Sequence, residues 1–243
     1  MLKVVRADLH IHTCLSPCAD LSMSPRRIAA QAKEKSIEII GISDHNSAEN
    51  VPALIEAARP YSIKVIPGIE VTTKEEVHLL ALFANLELAI NFQEEIYTHL
   101  PGENDPNLFG WQIVANEKDE VLDFNPRLLL GATTLSLEET IDLIHAGGGL
   151  VIASHIDREG FSLLGQLGFI PFGLPLDALE ISPRLNFEEA KKRFNYDYPL
   201  VTFSDAHKLE EIGTVTTSLL VKDLVFEEIA LAIKGQAGRR ILN

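Results

Sequence analysis

The chain has 243 residues, of which 46% are hydrophobic, and this suits one large α/β domain with a substantial core. Its formal net charge of −14 disfavours tight, sequence-independent binding to nucleic acid, because such binding relies on lysine and arginine. Two cysteines give no disulfide framework, and without a signal-peptide apolar segment or a long uncharged apolar run we predict a cytoplasmic protein with no membrane span.

Strand-like and helix-like segments alternate along the chain. The strands are apolar or β-branched runs, and several of them end in a histidine or an acid. We predict strands over residues 2–10, 37–46, 62–73, 76–83, 150–157, 176–182, 199–207 and 214–223. We predict helices over residues 24–36, 47–60, 86–100, 136–149, 186–195 and 225–236.

Capping residues support three of these helices. Ser24 is a candidate N-cap with Pro25 at the first helical position. Ser136 and Glu139 have the spacing of a capping box, and Asn186 is a candidate N-cap for a later helix. These starts divide the chain into repeated strand–helix units.

Residues 101–135 interrupt this alternation. Within them, WQIVANEKDEVLDFNP (111–126) predicts a β-hairpin with a polar turn near Lys118 and Asp119. We interpret the segment as an insertion in a single domain that spans residues 1–243. This segment is consistent with a cap over a site and equally with a surface feature that has no role in the site.

The repeated units predict a parallel sheet with helical crossovers. An open doubly wound sheet and a closed barrel both have this pattern. The open form often carries G-x-G-x-x-G in its first turn, whereas the first turn here reads HTCLSPCAD. We therefore prefer an α/β barrel of about seven strands.

Metal-ligating side chains recur at the C-terminal ends of the predicted strands, where barrel enzymes place their chemistry. These strand-end residues are His10, His12, His45, Glu70, His155, Asp205 and His207. His78 lies inside an apolar strand, where a core histidine is the alternative. His10 and His12 are two residues apart in a strand, so their side chains face the same way. Two neutral imidazoles side by side make a poor core but a good pair of metal ligands.

The donor types narrow the choice of metal. Mixed imidazole and carboxylate ligands suit Zn, Mn or Fe better than Ca or Mg. The set exceeds the three protein ligands of a single catalytic zinc, so we expect two or three divalent ions. We leave His99 and His145 out of the site because they fall near helix C-termini, and we interpret Asp44 as structural because it faces away from its neighbour His45.

With these residues in order, the chain resembles the polymerase and histidinol phosphatase family, or PHP family. The resemblance covers most of the chain except roughly residues 100–135. It rests on motifs that follow the order of the family: DLHIHT with a downstream CAD, SDHN, GIEV with a downstream VHLLALF, ASH, and SDAH. The two cysteines in CLSPCAD depart from the pattern; either they pack in the loop or they make the protein sensitive to oxidation.

The resemblance implies a distorted seven-stranded β/α barrel with a trinuclear metal site. The first ion would be held by His10, His12, Glu70 and Asp205, the second by Glu70, His78 and His155, and the third by Asp20, His45 and His207. Every expected ligand position is filled. This argues against a degenerate, non-catalytic copy.

The resemblance also implies a metal-dependent phosphoesterase, in which a metal-activated hydroxide hydrolyses the phosphate ester of a small molecule or nucleotide. Glu70, Asp205 and His207 are the expected catalytic residues. Arg158 and Arg184 are candidate phosphate contacts, although a surface ion pair is the alternative for each.

Three other functions remain open at this stage. A 3′–5′ exonuclease of the polymerase-associated kind would need a basic groove, and only scattered basic clusters occur, so we do not expect stable nucleic-acid binding. An amidohydrolase-like enzyme cleaving C–N or ester bonds has similar ligands. A non-enzymatic metal-binding module is the third.

Overall fold

The computed structural model describes residues 1–242, which contain eight α-helices, twelve strands and two short 3₁₀ turns. The strands are β1 Lys3–Ile11, β2 Ile39–Ile42, β3 Lys64–Ile66, β4 Gly68–Thr72, β5 His78–Leu82, β6 Ile113–Ala115, β7 Val121–Phe124, β8 Leu150–Ala153, β9 Ala178–Ile181, β10 Leu200–Thr202, β11 Thr217–Val221 and β12 Arg240–Ile241. The helices are α1 Pro25–Glu34, α2 Val51–Ala58, α3 Leu86–Thr98, α4 Pro106–Phe109, α5 Leu137–Ala146, α6 Leu163–Leu167, α7 Phe187–Arg193 and α8 Phe226–Ile233.

The strands form two five-stranded sheets and a separate hairpin. The first sheet has the order β12-β11-β1-β2-β3, the second has the order β10-β9-β8-β5-β4, and β6 pairs with β7. Both sheets are mixed. Strand β1 runs parallel to β2 but antiparallel to β11, and β5 runs antiparallel to both β4 and β8. The α/β class is as predicted, whereas the uniformly parallel sheet is wrong.

The two sheets meet near the C-terminal ends of β1, β2 and β10 and at Glu70 in the middle of β4, not at the C-terminal end predicted for it. Isolated bridges join Ile11 to Ala206 and His45 to Glu70, so the contact lies at one rim. In the described part of the chain, no continuous ladder of hydrogen bonds links one sheet to the other. The predicted seven-stranded closed barrel is therefore not confirmed.

The predicted strand 62–73 is two strands that belong to different sheets. The break falls at Pro67, which has no N–H group to donate to a ladder. Gly68 follows, and a Cβ there would lie 2.7 Å from the carbonyl oxygen of Ile42. Only glycine therefore allows the backbone of β4 to approach the end of β2 this closely.

The helix starts follow the predicted caps. Ser24 precedes α1, although its hydroxyl makes no capping hydrogen bond. Before α5, the Ser136 hydroxyl accepts from the Glu139 backbone N–H and the Glu139 carboxylate accepts from the Ser136 N–H, which confirms the capping box. Asn186 caps α7 by accepting from two backbone N–H groups.

Two large apolar clusters hold the sheets and helices together. One packs α1, α2, α3 and α5 against the strands, and the other packs α8 against strands of both sheets. A small third cluster of Leu15, Leu100 and Leu129 attaches the 101–135 segment to the first loop. No helix within residues 1–242 is long and apolar enough to cross a membrane.

The predicted hairpin is present as β6 and β7, with Asp119 at a positive φ of 67° in its turn. The buried Asn50 amide anchors it, donating to the Ile113 carbonyl at 3.0 Å and accepting from the Ala115 N–H at 2.9 Å. The hairpin is thus fixed to the start of α2. That it is an insertion stays a prediction.

Candidate metal centre

The rim where the two sheets meet brings together all of the predicted ligands except Asp20. Six of them line an open pocket of about 270 Å³: His45, Glu70, His78, His155, Asp205 and His207. His10 and His12 lie fully buried beneath it and contact two of the acids that line the pocket. Residues separated by almost 200 positions therefore share one site.

Glu70 lies at the centre of this group and is 1% exposed. Its two carboxylate oxygens lie 3.1–3.4 Å from imidazole nitrogens of His10, His12, His45, His78 and His155. Five imidazoles around one carboxylate are more than charge pairing requires. Its position between them fits a bridging ligand.

Asp205 is the second central acid. Its Oδ1 lies 3.3 Å from Nε2 of His10 and 3.2 Å from Nε2 of His12, and its Oδ2 lies 2.5 Å from the Arg158 guanidinium. Asp205 has a φ of 46° and His155 a φ of 29°, which non-glycine residues rarely adopt. Such conformations cluster at functional sites, and here both follow strand ends whose side chains face the pocket.

Hydrogen bonds determine which nitrogen of three histidines faces the centre. The His10 Nδ1–H donates to the buried Glu180 carboxylate at 2.9 Å. The Ser16 hydroxyl donates to Asp44, so it accepts from the Nδ1–H of His12 at 3.0 Å. The His207 Nδ1–H donates to the Asp205 carbonyl at 2.9 Å. In each case Nε2 is therefore the nitrogen that faces the centre, as in metal-ligating histidines.

Sequence analysis missed Glu180, which is fully buried in β9. The signal was the carboxylate of Glu180 between the apolar residues Leu179 and Ile181, since a buried charge needs a partner. Asp44, interpreted as structural, accepts from the Thr13 N–H, the Thr13 hydroxyl and the Ser16 hydroxyl at 2.6–2.7 Å. It thereby shapes the loop after β1.

Several buried polar atoms at the site have no hydrogen-bond partner. They are His45 Nδ1, Glu70 Oε1, His78 Nδ1, His155 Nδ1 and Asp205 Oδ1. Buried polar groups are almost always paired, so a concentrated set of unpaired donor atoms indicates a missing partner. Divalent cations that take imidazole and carboxylate ligands fit these atoms.

The donor atoms form three groups, each within 4.8 Å: His10, His12 and Asp205; His45, Glu70 and His78; and His12, Cys18, His45 and His207. Zinc-type ions bind nitrogen and oxygen ligands at about 2.0–2.2 Å, so donor atoms that share an ion must each lie at about this distance from the ion. The arrangement thus has room for two or three ions.

The surroundings of the histidines shift their pKa values in opposite directions. Burial and the neighbouring His207 lower the pKa of His12 to about 4, and burial with His12 lowers that of His45 well below its usual range. Burial opposes a charge on His10, but Glu180, Asp205 and Glu70 raise its pKa well above the usual value. Three carboxylates around one imidazole make a negative site that favours cations.

The same environment keeps the two acids ionised. Burial by itself would raise the pKa of Glu70, but His78 and His10 hold it well below the usual value. Burial likewise opposes ionisation of Asp205, and His10 and His12 lower its pKa. Both carboxylates are therefore available as anionic ligands at neutral pH.

Asp20 is not brought to the site. Its side chain is exposed, and its carboxylate accepts from the Ser22 N–H at 2.7 Å in a local turn. The residue that meets His45 and His207 from this loop is Cys18. The role predicted for Asp20 came from the motif, whereas the turn after Ser16 presents a different side chain.

The two cysteines have different positions. Cys14 is buried, 3.8 Å from the Ile113 carbonyl, whereas Cys18 is exposed and lines the pocket. Burial raises the pKa of each thiol to about 12, with Asp44 adding to the effect on Cys14 and Glu70 to that on Cys18. Neither thiol is a thiolate by itself at neutral pH, so cysteine-based nucleophilic catalysis is not favoured.

The two candidate phosphate contacts lie at different distances from the centre. Arg158 lines the pocket and pairs with Asp205. Arg184 is exposed and lies in an adjoining cavity that shares Arg158 and Phe161 with the pocket. Only Arg158 thus reaches the metal-ligating group directly. His99 and His145 lie outside the site, beside Thr134 and Asp177.

Comparison with known proteins gives a family for this arrangement. The family model described as PHP domain matches residues 8–158, more than half of the chain. The uncharacterised protein YqxK of Bacillus subtilis is 28% identical over 258 aligned positions, covering 99% of this chain and 65% of that protein. The chain therefore spans less than two thirds of this relative.

Solved structures share the fold at low identity. The lesion-specific endonuclease Q of Pyrococcus furiosus superimposes with a TM-score of 0.72 at 24% identity, over 98% of this chain and 58% of that one. An endonuclease Q has also been solved with a 27-mer duplex substrate that has an abasic lesion at the active site. A protein named as a proposed metal-dependent phosphoesterase from Bifidobacterium adolescentis gives a TM-score of 0.53 at 20% identity, over 83% and 87% of the two chains.

Proposed function

This chain belongs to the PHP domain family, and from that premise we propose that it is a phosphoesterase that uses two or three divalent metal ions. The observation that carries the proposal is the set of unpaired imidazole and carboxylate atoms around Glu70 and Asp205. Most of these atoms face one another within 3.6 Å as carboxylate–imidazole contacts, but they make no hydrogen bonds. Their donor types suit Zn, Mn or Fe.

In this proposal the ligands come from the donor groups described above, with Glu70 between the ions. The ligands are His10, His12, His45, Glu70, His78, His155, Asp205 and His207. Bound divalent ions would lower the pKa of water and neutralise charge that develops on phosphate oxygens. Ser16 and Glu180 hold the Nε2 lone pairs of two ligands toward the centre.

Arg158 is the proposed phosphate-orienting residue. Its side chain is 30% exposed, one end pairs with Asp205, and its Nε has no partner. A guanidinium in this position can donate to a phosphate oxygen without leaving Asp205. Arg184, in the adjoining cavity, would contact a more distant part of a larger substrate.

The preferred substrate is the phosphate ester of a small molecule or nucleotide. The pocket volume of about 270 Å³ lies near the lower end of small-molecule sites. Phe161 stacks on His78 at a centroid distance of 4.8 Å and is 45% exposed, so it can cover the leaving group. The net charge of −14 also disfavours a long polyanion.

A phosphodiester bond in nucleic acid is the second candidate. Exposed aromatic side chains favour it, since bases stack on such surfaces. Phe161 lies at the pocket, and Trp111 and Phe124 contact each other on the hairpin segment with tilted rings whose centroids are 5.0 Å apart. A nucleic-acid substrate would extend from the pocket toward one of these surfaces.

Metal analysis followed by a substrate screen tests the proposal. The purified protein should contain two to three equivalents of Zn, Mn or Fe by mass spectrometry. The metal-loaded protein should then be assayed on p-nitrophenyl phosphate, bis-p-nitrophenyl phosphate, mononucleotides, and short DNA and RNA strands. Preference for monoesters supports the first candidate, and preference for strands supports the second. No turnover of any phosphoester would refute both.

The Glu70→Gln substitution gives a sharper prediction. The amide keeps the shape but removes the charge that bridges the ions, so we expect metal content to fall and activity to drop at least about 100-fold. Circular dichroism should show an unchanged fold. The matched control is Glu138→Gln, an exposed acid on α5. Full turnover by the Glu70 variant would show that Glu70 is not the bridge.

A further inference from the structure

We propose that Cys18 supplies a thiolate ligand to a metal ion held with His12, His45 and His207, in the place that the sequence motif assigns to Asp20. This inference rests on the proposed metal centre and specifies one of its ligands. It makes the site a mixed sulfur, nitrogen and oxygen centre.

The first argument is geometric. Donor atoms of the four residues all lie within 4.8 Å of one another, so small side-chain movements would let them share one ion. His12 and His207 use Nδ1 for hydrogen bonds, so their Nε2 lone pairs are free for a ligand role. Their rings lie 4.2 Å apart between centroids.

A second, independent observation comes from His45. Its side chain is 7% exposed, it lines the same pocket as Cys18, and its Nδ1 makes no hydrogen bond although it lies 3.3 Å from Glu70 Oε2. A buried imidazole nitrogen that faces a carboxylate without a hydrogen bond indicates a missing cation rather than ordinary packing. The Cys18 sulfur lies within 4.8 Å of the donor nitrogen of this imidazole.

The third argument excludes the Asp20 carboxylate as the ligand from this loop. The backbone of Asp20 donates to the His207 carbonyl at 2.8 Å, so the loop is fixed beside the site. The Asp20 side chain nevertheless engages Ser22, and it belongs to none of the three donor groups within residues 1–242. Cys18, two residues earlier, is the residue of this loop whose donor atom reaches the imidazoles.

The chemistry of the set favours zinc. Thiolate and imidazole are soft or borderline ligands, so three imidazoles with one thiolate select zinc or iron over manganese and magnesium. A coordinating metal deprotonates the thiol outright. We therefore expect this position to retain zinc when manganese is supplied in excess, while the carboxylate-rich positions exchange.

X-ray absorption at the zinc edge tests the ligand directly, with no need for turnover. The zinc-loaded wild type should show a sulfur shell at about 2.3 Å, and Cys18→Ala should lose it together with one equivalent of zinc. Cys14→Ala is the matched control, because it removes the other thiol of the same loop. Asp20→Asn should keep both the zinc and the sulfur shell.

Cobalt substitution gives a second readout. Wild type and Cys14→Ala should show a near-ultraviolet thiolate-to-cobalt charge-transfer band, and Cys18→Ala should not. A sulfur shell that survives in Cys18→Ala, or is absent from the wild type while zinc is bound, overturns this inference and leaves the proposed function intact. Loss of zinc in Asp20→Asn with none in Cys18→Ala also overturns it. A wild type that binds no metal overturns both proposals.

Discussion

Glu180 acts on the site through a single side chain, the imidazole of His10. Both oxygens of its carboxylate lie within 3.1 Å of His10 Nδ1, and both side chains are fully buried. The contact fixes the ring orientation and the tautomer, and it raises the basicity of the opposite nitrogen. Glu180 is thus a positioning residue that touches neither a proposed ion nor a substrate.

Replacing Glu180 with glutamine should weaken metal binding about tenfold, at the lower end of the effect of outer-shell partners, since the amide oxygen still accepts from His10. Competition with a chromophoric chelator measures the zinc affinity directly. Glu189→Gln, an exposed acid on α7, is the control. An unchanged affinity for the Glu180 variant would contradict the positioning role.

At the scale of elements, the strand ends deliver the ligands. His10 and His12 share one face because side chains alternate along β1. His155 follows β8 and Asp205 follows β10, so each reaches the rim from a different strand. These placements were predicted, because a run of apolar residues that ends in a histidine or an acid marks the C-terminal end of a strand.

An ion pair on helix α8 leads to a prediction about how the stability of the fold depends on pH. Its Glu228 carboxylate pairs with the Arg239 guanidinium at 2.7–2.9 Å and accepts from the Lys222 N–H at 2.6 Å. The hydrogen bonds from Arg239 and then from Lys222 lower the pKa of Glu228 to about 2. A lowered acid pKa stabilises the folded chain above the unfolded value near 4.5, and this contribution is lost as pH falls toward 2.

Glu228→Gln should therefore be less stable than wild type at pH 7, and the difference should shrink as pH falls from about 4.5 toward 2. Urea unfolding at pH 7, 4 and 3 measures it, since the last two values lie inside this window. Glu227→Gln, the exposed neighbour, should show no comparable loss at pH 7. A difference that is independent of pH would show that the Glu228 effect comes from packing.

At the scale of the whole molecule, the site exists only in the folded chain. Its side chains come from positions 10 to 207, so the unfolded chain cannot gather them. Metal binding is therefore linked to folding. The buried nitrogen and oxygen atoms at one rim that make no hydrogen bonds would gain ligand bonds when an ion binds, which is the source of this linkage.

Chelation should lower the melting temperature. A metal at 100 times its Kd adds about 2.7 kcal/mol, which corresponds to about 5–10 °C for a chain of this size. Calorimetry before and after treatment with EDTA measures the shift, and adding zinc back should restore it. Glu70→Gln should show a smaller shift. Equal melting temperatures in all conditions would indicate that no ion is bound.

The α/β class, most of the strands and the hairpin could be predicted from the sequence alone, which also indicated the candidate ligand residues. Periodicity, capping and strand-end polarity are local properties, so the order of residues contains them. Eight of the nine predicted ligand residues meet at one rim, and Asp20 alone is turned away.

The tertiary structure decided what depends on neighbours distant in the chain. Pro67 and Gly68 split one apolar run between two sheets, because the crossing point is set by contact with β2 and β5. The turn after Ser16 brought Cys18 to the imidazoles, and β9 brought Glu180 beneath His10. Which donor atoms lie within reach of one another is a property of three-dimensional packing, and no linear motif contains it.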